Sequence, residues 1–103
     1  MNLAMYILVN EDIKIGKGKL AGQVGHAVGT FYYRGIYTKE LMDNYMEEQK
    51  KIILKCPQNK LEELEKEGYI TIRDKGLTQL APNTLTCVNV GIFDRDKDEV
   101  PDF

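Results

Sequence analysis

The chain has 103 residues, 43% of them hydrophobic and 29% charged, with a formal net charge of -2. That apolar content suits one compact domain over 1–103, is too little for two, and the composition is not that of a disordered chain. No apolar run is long enough to span a bilayer and no signal-peptide pattern opens the sequence, so the expectation is a cytoplasmic protein without a membrane partner.

The charge is unevenly placed. Residues 94–103 hold Asp94, Asp96, Asp98, Glu99 and Asp102 against Arg95 and Lys97, an acidic C-terminal tail of -3 that leaves +1 for the rest. Lys14, Lys17 and Lys19 form a small basic spot near the start. It suits a few phosphates and is no general nucleic-acid surface, so no DNA partner is expected. Cys56 and Cys87 lie in apolar strand-like runs without further cysteine partners. This excludes a disulfide framework and a cysteine-rich zinc site, and predicts two buried thiols.

Leu3 to Val9 is a near-continuous apolar run, the pattern of a central strand covered on both faces. Lys14 to Lys19 is a glycine-punctuated loop. Leu20, Val24, Ala27, Val28 and Phe31 then recur at helical spacing, with Gly35 as the stop. Lys39 to Gln49 predicts a second helix, and Ile52 to Cys56 a second strand closed by Pro57. Asn59 and Glu62 have the spacing of a capping box opening a short helix that ends at Gly68. Tyr69 to Ile72 is the third strand and 74–83 a loop. Thr84 to Ile92 is the fourth, with Thr84, Thr86, Val88, Val90 and Ile92 on one face. The order β-α-α-β-α-β-β predicts an α/β fold: a small mixed four-stranded sheet with helices on both faces.

The first helix carries three faces. At 100° per residue, Lys19, Gln23, His26 and Thr30 fall within roughly 60° of one another as one polar stripe. A smooth third face comes from Gly22, Gly25 and Gly29. Each such glycine costs about 0.8–1 kcal/mol relative to alanine, which close packing or a ligand offsets. The Lys14–Lys19 loop fails both the P-loop and the dinucleotide-binding glycine spacing, yet a lysine beside a helix N-terminus can still hold an oxyanion.

The segment from Asp12 to Ala27, with Lys14-Ile15-Gly16-Lys17-Gly18-Lys19 followed by Gln23 and His26, resembles the first signature of the type II peptidyl-tRNA hydrolases. A second stretch, Asp74 to Thr86, resembles that family's Asp-x-Gly-x-Thr-Gln-x-x-Pro-x-Thr-x-Thr segment. Between them, Lys51-Ile52-Ile53-Leu54-Lys55 is similar to the family's second strand. The resemblance covers roughly residues 3–92. It implies a single α/β domain, commonly a homodimer, that cleaves the ester joining a peptide to the acceptor end of tRNA, with no metal and no nucleotide cofactor. It also implies a catalytic cluster of Lys19, Asp74 and Thr86. Gln23, His26, Thr78 and Gln79 would line or support it, and Lys14 and Lys17 would hold tRNA phosphates. Two departures are visible. Position 77 is Leu where the family usually carries Arg or His, and residues 93–103 are short and acidic where relatives continue through a helix and an apolar segment.

The residues set their own limits on the chemistry. No Gly-x-Ser-x-Gly elbow and no local Cys/His motif is present, and a single histidine is a poor basis for metal hydrolysis. Direct attack by water is the economical route. Lys19 then stabilises the oxyanion or the leaving ribose oxygen, Asp74 pairs with Lys19 or orients the water, and Thr86 adds a hydroxyl. Taken singly, Asp74 also reads as turn chemistry and Thr86 as an ordinary strand residue. Two other functions stay open at this level: a non-catalytic tRNA- or protein-binding module on the same fold, and a small homodimer built on the glycine face.

Overall fold

The computed structural model describes residues 1–76 and 80–103. Its elements follow in the expected order: β1 (Leu3–Asn10), α1 (Lys17–Arg34), α2 (Lys39–Glu48), β2 (Lys51–Cys56), α3 (Gln58–Lys66), β3 (Ile70–Arg73) and β4 (Leu85–Asp94). The four strands form one sheet in the order β2-β1-β4-β3. Strand β1 pairs parallel with β2 and antiparallel with β4, and β3 pairs antiparallel with β4. Helix connections into β2 and β3 are compatible with parallel pairing, but β2 and β3 end as opposite edges. Every residue of β1 is buried, as its unbroken apolar run requires.

Two cores flank the sheet. On one face Met5, Ile7, Ala27, Phe31, Tyr45 and Cys87 pack together, with Leu20, Val24 and Met42 partly buried around them. These join α1 and α2 to the sheet. On the other face Tyr6, Leu8, Leu61, Leu64, Val88 and Val90 pack under α3, with Phe93, Val100 and Phe103 against them. The acidic tail is therefore anchored. The Phe103 ring stands 6.2 Å from Tyr6 and 6.3 Å from Phe93, and Asp98 accepts the Asp94 N–H at 2.7 Å.

Three local readings change. Helix α1 starts at Lys17, with Gly16 as N-cap, so Lys19 sits in its first turn and not before it. The capping box at Asn59 does not form: α3 opens at Gln58 behind Pro57, and Asn59 Oδ1 takes the N–H of Lys60. An N-terminal N–H of α3, that of Gln58, donates instead to Asp12 Oδ2 at 2.8 Å, a carboxylate placed favourably at the positive end of a helix. Strand β4 does not keep one face. Its register against β3 skips Thr86, passing from Cys87↔Ile72 to Leu85↔Arg73, and its register against β1 skips Val90. These two bulges send Cys87 and Ile92 to the α1 side and Leu85, Val88 and Val90 to the α3 side. The second bulge requires Gly91, with φ of 99° and Tyr37 Oη 2.6 Å from where a Cβ would stand.

Candidate functional site

The site forms where the first turn of α1 meets the C-terminal end of β3 and the start of β4. Lys19 Nζ lies 2.6 Å from Asp74 Oδ1, with the lysine side chain 21% exposed and the aspartate 4%. Gln23, one turn further along α1, donates from Nε2 to the same carboxylate oxygen at 3.4 Å. Its amide oxygen faces the Thr86 hydroxyl at 3.0 Å, and that hydroxyl also stands 2.9 Å from the Ile72 carbonyl oxygen. One hydroxyl proton serves one of these acceptors at a time. The bulge in β4 is what aims Thr86 at Gln23, because a residue held in regular register would not share a side with Cys87.

Asp74 has two tasks. Its Oδ1 faces Lys19, and its Oδ2 accepts the backbone N–H of Gly76 at 2.8 Å, closing an Asx turn. The turn reading and the ion-pair reading of Asp74 therefore both hold, one for each oxygen. The hydrogen bond from Lys19, then that from the Gly76 N–H, keep the carboxyl below the usual aspartate range. A carboxylate so held is a weak proton acceptor at neutral pH, and its chemistry is to fix a cation or orient a donor.

Several residues outside the expected set brace this arrangement. Gly76 has φ of 77°, and a Cβ there would meet Pro82 at 2.6–2.9 Å, so the turn accepts no other residue without moving the loop. The Asp74 N–H donates to the Thr84 carbonyl at 2.8 Å and the Asn83 N–H to the Asp74 carbonyl at 2.7 Å. Arg73 holds the base of the loop through a bidentate pair with Glu65 and a bond of 2.6 Å to the Asn83 carbonyl. Buried Asn89 donates to the Ala27 carbonyl at 3.2 Å and ties α1 to β4. The signal for Gly76 lay in the second signature, which begins just after Arg73. Asn89, inside an apolar strand, had none.

The other expected residues are separate from this cluster. His26 is exposed, one further turn along α1, and lines a groove with Lys19 and Gln23. Lys14 and Lys17 are exposed and, among the described residues, in no ion pair. Thr78 and Gln79, like Leu77, lie outside the described residues. Both cysteines are free and buried, and burial pushes the Cys87 thiol up to about 11 and that of Cys56 above its ordinary value. Neither is ionised enough at neutral pH to act as a nucleophile. Among the described residues, no three His, Cys, Asp or Glu side chains converge as a metal-ligand set.

The groove has a volume of about 740 Å³ and begins at the Lys19–Asp74 pair. It continues between Gly25, His26, Gly29, Thr30 and Tyr33 of α1 and Thr71 of β3. Among the described residues, a Cβ placed on Gly22, Gly25 or Gly29 would meet no neighbouring atom within 4 Å. Packing among the described residues therefore does not explain these glycines.

A family model described as Peptidyl-tRNA hydrolase PTH2 matches residues 3–100. Among curated relatives, a peptidyl-tRNA hydrolase of Methanopyrus kandleri is 38% identical over 93 residues, covering 82% of this chain and 80% of the relative. One from Thermoplasma volcanium is 35% identical over 100 residues, covering 88% and 86%. One from Saccharolobus solfataricus is 36% identical over 104 residues, covering 86% and 85%.

Proposed function

The chain belongs to the peptidyl-tRNA hydrolase PTH2 family, and on that premise we propose that its reaction is centred on Lys19, Asp74 and Thr86. It hydrolyses the ester bond between peptide and tRNA, releasing free tRNA. Nothing in these matches supports the non-catalytic module considered from the sequence.

Water attacks the ester carbonyl and negative charge develops on its oxygen. The reaction then needs a fixed positive group at that oxygen, or at the departing ribose 3′ oxygen. Lys19 is that group. Its partner Asp74 holds the ammonium in place, and its partial exposure leaves room for substrate. Preorganisation matters because an exposed lysine otherwise spreads over many rotamers and meets the oxyanion in few of them. Gln23 links Asp74 to Thr86, so the three elements α1, β3 and β4 hold one polar unit. The attacking water is oriented from this unit, and its proton passes to solvent or to the leaving oxygen. Thr78 and Gln79 belong to the same proposal as supporting residues.

The acceptor end of the tRNA approaches over Lys14 and Lys17, which flank the N-terminus of α1 and have exposed side chains. No described helix is long and apolar enough to cross a membrane, and we place the reaction in the cytoplasm, where translation supplies the substrate. A homodimer is part of the same reading. The exposed Ile53 and Leu54 on edge strand β2 supply apolar surface for it, which sedimentation will test.

The observation that carries the assignment of the site is the Lys19–Asp74 pair at the mouth of the groove. The test is single-turnover hydrolysis of peptidyl-tRNA by wild type and Lys19→Met, which keeps the aliphatic stem and removes the charge. Turnover should fall by about 10²–10³-fold, the usual effect of losing one oxyanion-stabilising group. Equal rates in the two proteins would remove Lys19 from the chemistry.

A further inference from the structure

We propose that the groove between α1 and β3 holds the peptide half of the substrate, read through its main chain along the open edge of β3. This rests on the hydrolase reading and adds what that reading lacks, a place for the peptide.

At the scissile ester the substrate divides into a polyanion and a chain of arbitrary sequence. The protein divides its charge in the same way. Exposed Lys14 and Lys17 lie before Lys19 and outside the groove lining. The groove's cations are gathered about Asp74: Lys19 pairs with it, and Arg73 and Lys75 flank it in sequence, whereas Gly25, His26, Gly29, Thr30, Tyr33 and Thr71 line the groove without a lysine or arginine among them. Arg73, which does line the groove, is already committed to Glu65 and the Asn83 carbonyl. A phosphate backbone has little to hold it there, whereas an uncharged peptide main chain has.

Strand β3 is an edge of the sheet. The Ile72 carbonyl points toward β4, where Thr86 reaches it, so strand alternation turns the N–H and C=O of Thr71 outward into the groove. An extended peptide added there takes main-chain hydrogen bonds independent of its side chains. The opposite wall carries Gly25 and Gly29, where, among the described residues, nothing lies within 4 Å of a Cβ placed there. A wall without side chains accepts any residue, which an enzyme acting on abandoned chains of every sequence requires. Tyr33, 92% exposed at the far end, has no packing role within the chain and offers an apolar surface to whichever side chain arrives. From Lys19 to Gly29 is roughly 15 Å along the helix. A single aminoacyl residue, at about 3.3 Å, does not reach Gly29, and a hexapeptide does.

The experiment compares kcat/KM for N-acetyl-leucyl-tRNA and for a hexapeptidyl-tRNA ending in leucine, with wild type and Gly29→Leu. Leucine is a good helix former and projects into open space, so thermal stability should stay at or above wild type. The ratio of the long to the short substrate should fall about tenfold in the variant, the effect of one or two net main-chain hydrogen bonds. N-methylating alternate amides of the hexapeptide should slow wild type for one parity of positions and not the other, because only every second N–H faces the edge. An unchanged ratio overturns the proposal. So does an equal loss on both substrates with weaker binding of deacylated tRNA, which would assign the groove to RNA, and so does a change of oligomeric state, which would assign it to a second copy. Wild type inert on both substrates would instead remove the hydrolase reading, and this proposal with it.

Discussion

Lys19 and Asp74 stand 55 positions apart in sequence and 2.6 Å apart in space, and the aspartate uses its second oxygen to hold the turn that brings it there. Positioning of the cation and closure of the 74–76 turn are thus one interaction. A change at either oxygen acts on both.

The first consequence concerns pH. The Asp74 carboxyl is held below its usual range by Lys19 and by the Gly76 N–H. Its contribution to stability is therefore fully present above the unfolded value of about 3.9, and is lost as pH falls through the lower folded value. Acid unfolding followed by circular dichroism should show a steeper loss below about pH 4 in wild type than in Asp74→Asn. In Lys19→Met, the Asp74 titration followed by NMR should move up toward the ordinary aspartate value.

The Thr86 hydroxyl is buried and serves Gln23 and the Ile72 carbonyl. Thr86→Val keeps the shape and removes the one proton that these two acceptors share, at a cost of about 1–3 kcal/mol. Thr86→Ser keeps the donor, and its catalytic rate should lie much nearer wild type. Denaturant melts and turnover of the two variants separate the hydroxyl from the methyl.

Gly76 sits at φ of 77° with Pro82 in the space of a Cβ. Gly76→Ala should cost about 1–3 kcal/mol of backbone strain. Because the loop must shift to admit the methyl, Asp74 loses its Gly76 N–H and hydrolysis should fall by more than the stability loss explains. Activity measured well below the melting temperature checks this.

Binding of tRNA should be salt-dependent with a shallow slope, since the basic spot is small. Lys14→Ala and Lys17→Ala should each flatten the slope of log affinity against log salt by about 0.7–0.9. A wild-type slope near zero, measured by filter binding across a salt series, would exclude phosphate-led docking.

Phe103 packs on Tyr6 and Phe93 while remaining partly exposed. Phe103→Ala should cost about 1–2 kcal/mol, less than the ~3–5 kcal/mol of a fully buried phenylalanine. Thermal melts at fixed salt test it. The acidic turn at Asp94 pairs with Leu3, at the opposite end of β1 from the basic loop, so tRNA affinity should not change.

Element order and type were legible in the sequence because they rest on local periodicity: the unbroken run Leu3 to Val9, the helical spacing from Leu20 to Phe31, and the stop at Gly35. The residues that converge at the candidate site were legible too, since Lys19, Gln23, Asp74 and Thr86 lie in two dense polar signatures. The placement of Thr86 was not. Strict alternation put it on one face with Val88 and Val90, whereas bulges at Thr86 and Val90 divide that face between two cores. A bulge is set by pairing with two neighbouring strands at once, β3 on one side and β1 on the other, and no window of one strand contains that information. The cap of α3 was missed for the same reason, its partner Asp12 lying 46 residues away. The glycines of α1 show the limit from the other side. Sequence registered their cost, but only the tertiary structure showed that none of the described residues fills the space above them, beside the edge strand β3.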